Sequence, residues 1–327
     1  MPNACSKINS AYVGRFAPAP TGALHLGNAR TFLLAWLRAR SVSGSILLRL
    51  EDLDHPKVKR DAAAQAYEDL RWLGLDWDAG ADSDASYIQS NRLEIYRRYF
   101  NEFRERGLIY PCTCTRQDIQ NAQSAPHPGE EMKYPNTCRG KYQSAEEAEA
   151  ATGRAPAWRF LLPDEDFSFT DVFCGVQSNK PAEWSGDFVV AKGENLPSYQ
   201  LAVVVDDALM GVTEVVRGDD LLLSTHRQLA LYAALGFSPP DFLHVPLVVG
   251  SDGKRLAKRH GDTRISTLRE RGVEAVTVVG WLAATCGLAE FYEKLTPLNL
   301  LPRFALSKIL LARAVVDDPA KKLLGIA

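Results

Sequence analysis

Residues 14–30 read GRFAPAPTGALHLGNAR, and the run NARTFLLAWLRAR continues directly out of them. Pro18 and Pro20 fix their own backbone angles while Gly22 and Gly27 free theirs, so the stretch reads as a shaped loop, neither plain strand nor helix. Beyond it, Phe32 with Trp36 and Leu33 with Leu37 recur at helical spacing, leaving Arg30, Arg38 and Arg40 for solvent, which predicts a helix over about 28–41. A rigid loop that runs into a helix N-terminus offers unpaired backbone N–H groups to an anion.

Working outward, residues 11–16 and 45–50 (SILLRL) read as short buried strands on either side of that helix. A β-α-β unit of this kind requires a parallel sheet. Further helices are predicted at about 59–73, with Ala63, Ala66, Tyr67 and Leu70 on one face, and at about 91–106. From Gly107 the pattern changes to clustered cysteines, a loop with Pro126, Pro128, Gly129 and Pro135, and the segment SAEEAEAA at 144–151, an expected exposed helix. These features read as an insertion. Strand character returns with FVVAK at 188–192 and YQLAVVVDD at 199–207, followed by a helix near 224–235 and the buried run FLHVPLVVG at 242–250. The remainder after Gly261 reads as helical.

The 327 residues, 46% hydrophobic and 24% charged, describe an ordinary globular protein able to bury a sizeable core, and the length favours two or more domains. A formal charge of −2 supplies no global basic field, so any nucleic-acid contact must come from a local patch. Arg92, Arg97, Arg98, Arg104 and Arg106 share one predicted helix and read as its solvated face; Lys254, Arg255, Lys258 and Arg259 crowd one loop between Gly253 and Gly261. Neither a long apolar leader nor a run approaching about 18 apolar residues is present, so a cytoplasmic protein without membrane contact is expected. Six cysteines, at 5, 112, 114, 138, 174 and 286, are too scattered for a disulfide framework, but three of them cluster and point to a metal.

Taken in order, APAPTGALHLGN, LRLEDLD at 48–54, EVVRGDDLLLSTHRQ at 214–228 and KRLAKRHG at 254–261 resemble the signatures of class I aminoacyl-tRNA synthetases, specifically the glutamyl-tRNA synthetase branch, over roughly residues 11–265. The resemblance implies an α/β protein with a Rossmann-type parallel sheet. Its expected division is a first catalytic half over 11–106, an insertion with a zinc site over 107–187, a second catalytic half with a KMSKS-like loop over 188–260, and a small helical C-terminal subdomain over 261–327. It also implies that His25, Gly27, Asn28 and Lys258 bind ATP with Mg²⁺, His25 and Lys258 being the catalytic pair that stabilises charge on the α-phosphate and the departing pyrophosphate. Arg255 stands where the family motif usually has Lys, and Ala257 where it often has Ser.

An amino acid with two carboxylates needs two cationic partners and an anion for its ammonium group. By similarity, Arg15 binds the side-chain carboxylate of L-glutamate, Glu51 its ammonium group, and Arg217 with Tyr199 completes the pocket, alongside Phe16, Ala17, Pro18 and Ala19. Family members commonly carry Ser at the position of Ala19. A structural ion pair between Arg15 and Glu51 is the plainer alternative.

Cys112, Cys114 and Cys138 supply three thiolates, whereas a structural zinc normally takes four ligands. His127 and Tyr134 are the two candidates for the fourth. A Cys-x-Cys, Tyr-x3-Cys pattern resembles that of shortened paralogues, the glutamyl-Q tRNA(Asp) synthetases, which favours Tyr134. Cys5, Cys174 and Cys286 have no partner at metal spacing. About 70 residues follow Lys258, too few for a full anticodon-reading module. The resemblance therefore implies a ligase, expected as a monomer, that activates glutamate without tRNA and transfers it to queuosine in the anticodon loop of tRNA(Asp). A truncated enzyme charging a tRNA 3′ end and a catalytically silent RNA-binding paralogue remain alternatives.

Overall fold

The computed structural model describes residues 11–20, 23–53, 60–122, 132–256, 258–310 and 312–326. Strand β1 (Val13–Phe16), helix α1 (Leu26–Ser41) and strand β2 (Ser45–Leu48) form the expected unit, with β1 and β2 parallel from Val13 opposite Ser45 to Phe16 opposite Leu48. The helix begins at Leu26, earlier than its apolar periodicity predicts, because His25 caps it. Arg30 does not face solvent as its place in the pattern implies. It is 1% exposed and donates to the Pro246 carbonyl (2.5 Å) and to Thr285 Oγ1 (3.1 Å), so it ties α1 to distant parts of the chain.

Helix α2 (Arg60–Trp72) leads to strand β3 (Ala79–Gly80), which pairs parallel with β2, and helix α3 (Leu93–Glu105) follows. Strand β4 (Ile109–Cys112), helices α4 (Arg116–Asn121) and α5 (Ala145–Thr152), and strand β5 (Ala157–Phe160) come next. The hairpin of β6 (Phe167–Asp171) and β7 (Gly175–Asn179) then precedes helix α6 (Pro181–Trp184) and strand β8 (Phe188–Ala191). Strands β4, β5 and β8 make an antiparallel sheet in that order.

The stretch 199–207 is helical, not a strand: it forms α7 (Tyr199–Met210), ended by Gly211 in the left-handed region at φ 73°. Leu201 through Asp207 are all buried, so the segment has no polar face to reveal a helical period, and its three valines mimic a buried strand. Strand β9 (Glu214–Gly218), helix α8 (Leu222–Leu235) and strand β10 (Asp241–Val245) follow, β9 and β10 being parallel, and β10 also pairs parallel with β6. The run FLHVPLVVG divides at Pro246 into β10 and a separate strand, β11 (Val248–Gly250).

The C-terminal part carries helices α9 (Ile265–Glu270), α10 (Ala275–Thr285) and α11 (Pro297–Leu300), then strand β12 (Ala314–Val316) and helix α12 (Asp318–Leu324). It is therefore not wholly helical, since β12 pairs parallel with β11. Strand β1 abuts β9, where Val13 O accepts from Thr213 N (2.9 Å) and Arg15 Nη1 donates to Val216 O (3.0 Å). A cleft opens beside the C-terminal ends of β1 and β9, each of which is parallel to a neighbour in its own sheet, and such strand ends are the usual place for a ligand. Among the described residues, no helix is long and apolar enough to cross a membrane.

Candidate active site

The cleft holds about 360 Å³ and is lined by residues from β1, α1, the chain after β2, α7 and β9. At its floor, His25 Nδ1 accepts from Gly27 N–H (3.1 Å), and His25 N–H donates to Asn28 Oδ1 (3.3 Å), a reciprocal cap on α1. A Cβ at residue 27 would stand 2.9 Å from His25 Cε1, so this ring position requires glycine there. With Nδ1 accepting, the proton of the neutral imidazole resides on Nε2. Burial, and then the charge of Arg255, lower the His25 pKa, so near neutral pH the ring is an uncharged donor.

The second motif is fastened to the first by backbone bonds on both sides of His25: Leu26 N donates to Thr263 O (3.1 Å) and Ile265 N to Leu24 O (2.7 Å). Ahead of that clamp the loop folds back on itself, with Gly250 N bonded to Lys254 O (2.9 Å). Asp252 accepts from Lys254 N (2.9 Å), His260 Nε2 (2.9 Å) and Arg259 Nε (3.2 Å), and the backbone bond from Lys254 is the main cause holding its carboxyl well below the usual range. Arg255 reaches across the cleft mouth to Asp220 at 3.0 Å. Lys258 opens the short turn Lys258–His260; its side chain, Ala257 and Gly22 lie outside the described residues.

Among the described residues, two buried guanidinium groups face the cleft without close carboxylate partners. Arg15, 5% exposed, has its nearest carboxylate oxygen among them at 3.7 Å, on Asp207, and its Nε has no hydrogen-bond partner there. Arg217, 4% exposed, is held by neutral acceptors: His244 Nε2 (3.0 Å), Thr225 Oγ1 (2.7 Å) and Gln228 Oε1 (2.8 Å). Such under-compensated cations favour an anionic ligand. Glu51 supplies the opposite charge, bonded to Arg49 at 2.9 Å; burial raises its pKa, opposed by Arg49 and Arg15. Burial likewise raises the Tyr199 pKa, leaving a neutral hydroxyl at the wall.

The residues named from sequence separate by position. Arg15, Ala17, His25, Gly27, Asn28, Glu51, Tyr199 and Arg217 line one cleft. Phe16 is fully buried and packs on Phe32 at 5.2 Å, Pro18 O accepts from Glu51 N (3.1 Å), and Ala19 is exposed. No Arg15–Glu51 ion pair forms, since Glu51 pairs with Arg49. The supporting layer escaped the sequence reading. Arg49 bridges Glu51 and Asp207 (2.6 Å), while Asp206 accepts from Arg92 Nε (2.8 Å), Gln89 Nε2 (2.9 Å) and Tyr96 Oη (2.7 Å). Arg92 is thus a core residue at 3% exposure and not part of a solvated face. The signal was the Asp206–Asp207 pair inside an apolar run, hidden by reading that run as a strand.

Away from the cleft, the sulfur atoms of Cys112, Cys114 and Cys138 lie within 4.8 Å of one another. Tyr134 Oη stands 3.2 Å from Cys112 Sγ and 3.9 Å from Cys114 Sγ and accepts from Cys138 N (2.9 Å). The loop carrying Tyr134 is pinned by its N–H to Ser185 O (2.8 Å), an approach that leaves no room for a side chain at Gly186, whose φ is +64°. His127 and Cys5 lie outside the described residues. Cys286 is buried and Cys174 exposed, both away from this cluster.

Comparison with known proteins matches residues 12–288 to the family of tRNA synthetases class I (E and Q), catalytic domain. The chain is 48% identical over 319 residues to the glutamyl-Q tRNA(Asp) synthetase of Symbiobacterium thermophilum, covering 96% of this chain and 98% of that protein. It is 40% identical over 263 residues to glutamate–tRNA ligase 1 of a Thermoanaerobacter species, covering 79% of this chain and 54% of that protein. Among solved structures, a glutamate tRNA ligase from Elizabethkingia meningosepticum, crystallised with its amino acid, superposes with a TM-score of 0.79 at 26% identity, covering 96% of this chain and 68% of that one.

Proposed function

We propose, from the premise that this chain belongs to the class I (E and Q) tRNA synthetase family, that it activates L-glutamate with ATP and transfers the glutamyl group to queuosine in the anticodon loop of tRNA(Asp). The observation that carries this reading is the cleft, where Arg15, Arg217 and Glu51 stand beside a neutral His25. Glutamate offers two carboxylates and one ammonium group to that set. Arg15 takes the side-chain carboxylate, Glu51 the ammonium, and Arg217 with Tyr199 closes the pocket, so a substrate lacking the second carboxylate leaves a buried cation unmatched. The α-carboxylate oxygen attacks the α-phosphate of ATP, and pyrophosphate departs. His25 Nε2–H and the N-terminal amides of α1 face the phosphates, Lys258 neutralises charge on the leaving group, and Mg²⁺ accompanies ATP.

The acceptor is a hydroxyl of the cyclopentene diol of queuosine. It attacks the carbonyl carbon of glutamyl-adenylate, an ester forms, AMP leaves with the bonding electron pair, and the hydroxyl proton is released with it; no protein nucleophile intervenes. Unpaired anticodon-loop bases suit this delivery because they can be splayed into a pocket. Support also comes from near end-to-end similarity to a protein named for this reaction, against partial coverage of the glutamate–tRNA ligases.

Zinc belongs in the same proposal as a structural ion. Tetrahedral zinc with Zn–S bonds of about 2.3 Å separates its donors by roughly 3.5–3.8 Å. The Cys114–Cys138 sulfur separation of 3.5 Å lies in that range and the 3.2 and 3.9 Å distances from Tyr134 Oη to Cys112 and Cys114 fall just either side of it, which supports Cys112, Cys114, Tyr134 and Cys138 as the ligands.

The test is to charge tRNA(Asp) with labelled glutamate, cleave it with nuclease and identify the labelled fragment. Label on the anticodon fragment, lost when the tRNA lacks queuosine, is the expected result. Label on the 3′-terminal adenosine would instead establish a glutamate–tRNA ligase.

A further inference from the structure

Arg159 lies on β5 opposite Tyr110 of β4, at an irregularity between Trp158 and Arg159 that breaks the regular pairing with β8. Bulges of this kind re-aim a side chain. Here the guanidinium is directed into the cysteine cluster and is only 7% exposed. Its Nε donates to Cys112 Sγ at 3.2 Å, its Nη1 to the Asp187 carbonyl oxygen at 2.7 Å, and its central carbon stands 3.6 Å from the centroid of the Tyr134 ring.

What this cation lacks is a carboxylate. Among the described residues none lies within ion-pairing distance of Arg159, and the buried carboxylate nearby, on Asp187, is engaged otherwise. It accepts from Tyr110 Oη (2.7 Å), Leu162 N (2.9 Å) and both Nε (2.7 Å) and Nη2 of Arg139. Arginine remains charged in proteins, and a buried cation without a counter-ion is costly. Three neutral thiols and a neutral phenol do not meet that charge. Three thiolates and a phenolate around a zinc dication carry two surplus negative charges, and they meet it at the two atoms groups that Arg159 already touches, the Cys112 sulfur and the Tyr134 ring.

We propose that Arg159 is the outer-sphere cation of the metal site, a positioning residue that donates Nε–H to the Cys112 sulfur and lays its planar face on Tyr134, so holding both ligands toward the ion. The inference rests on the zinc reading given above. Outer-sphere partners of this type orient first-layer ligands, and their loss typically lowers metal affinity by about 10- to 100-fold. Lysine at this position keeps the charge but has neither the fixed Nε–H nor the flat face.

The experiment uses the whole protein, zinc-loaded, in the wild-type form and as Arg159→Met and Arg159→Lys. Zinc release to a graded series of chelators is followed with a zinc indicator, and thermal unfolding is recorded for loaded and metal-free samples of each. The expected result is one zinc per wild-type chain, at least about tenfold weaker retention in Arg159→Met, and an intermediate value in Arg159→Lys. A purely structural role is separated by the metal-free samples. There Arg159→Met unfolds at the same temperature as wild type or higher, because an unmatched buried cation has been removed, whereas the loaded variant unfolds lower. Equal zinc retention in wild type and both variants overturns the inference and leaves the zinc reading intact. Equal destabilisation of loaded and metal-free variants also overturns it, and a wild-type protein that binds no zinc removes both.

Discussion

The layer that supports the cleft and the cysteine lobe bury charge in opposite ways. Behind the cleft-facing Arg15 and Arg217, whose charge is left for a ligand, the chain supplies its own counter-ions: Arg49 sits between Glu51 and Asp207, and Arg92 is bonded to Asp206, all four pairing groups other than Glu51 being nearly or fully buried. In the lobe, a small apolar cluster of Tyr110, Cys112, Ile119, Tyr134, Cys138, Tyr142 and Ala148 gathers sulfur and phenol donors beside Arg159, which lacks a carboxylate partner among the described residues. The first arrangement keeps its shape through internal ion pairs. The second has its ligand donors gathered but its charge balance unfinished. The difference teaches that the cleft should stay assembled without its substrates, while the lobe should depend on an added ion.

The sharpest way to break this contrast is to remove a charge that holds the cleft. Asp206→Ala deprives Arg92, Gln89 and Tyr96 of the buried carboxylate they share. Breaking one side of such a pair typically costs about 3–5 kcal/mol. Urea unfolding should register a loss of that size, and a loss below about 1 kcal/mol would show that the network is not what maintains the cleft.

Chelation tests the other half. Stripping zinc should lower amide-exchange protection in β4, β5 and the 132–142 segment by at least about a hundredfold, about 2.7 kcal/mol of local opening, while β1, α1 and β9 keep theirs. Elemental analysis of protein purified without added metal should return one zinc per chain. Uniform loss of protection across both regions would mean that they do not differ in the way their charge balance implies.

A smaller effect distinguishes chemistry from binding inside the cleft. Lys258→Ala should slow glutamate-dependent ATP–pyrophosphate exchange by at least roughly tenfold, about 1.4 kcal/mol, with glutamate binding nearly intact. Arg15→Ala should instead weaken glutamate binding. Normal exchange by Lys258→Ala would remove that lysine from the mechanism.

The contrast also explains what the sequence could disclose. The β1-α1-β2 unit and the cysteine cluster were legible because punctuation by proline and glycine and the spacing of cysteines are local signals. Helix α7 was not, because burial on every side erased its period, and three-residue β12 is too short to stand out. Arg30 and Arg92 looked solvent-facing because their acceptors, Thr285 and Asp206, are more than a hundred positions away. The same distance concealed His244, which reaches Asp171 and Arg217 only after the sheet has formed.

His244 gives the smallest and most specific effect. Its Nδ1 is 2.7 Å from Asp171 Oδ2, while its Nε2 faces Arg217 Nε (3.0 Å) and Thr225 Oγ1 (3.1 Å). Because Arg217 can only donate, Nε2 must accept, so the ring is neutral with its proton on Nδ1. Burial is the main cause that lowers its pKa from 6.5; the Asp171 hydrogen bond opposes this, and the charge of Arg217 reinforces it. A histidine with a depressed folded-state pKa contributes fully above its unfolded value, and that contribution is lost as the pH falls from 6.5 through the folded value. Protonation would also remove the acceptor of Arg217 and place a second cation beside it. The KM for glutamate should therefore rise by about threefold as the pH is lowered below this range, under 1 kcal/mol. His244→Gln, which can offer an uncharged acceptor, should flatten that rise. The lowered pKa of His25 places its own titration in the same acidic direction, but at the phosphates, so the KM for ATP should keep its pH dependence in the variant. Zinc content measured at each pH separates these responses from ligand protonation in the lobe. An unchanged acid rise in the glutamate KM of His244→Gln, at constant zinc, would mean that Arg217 is positioned without help from this histidine.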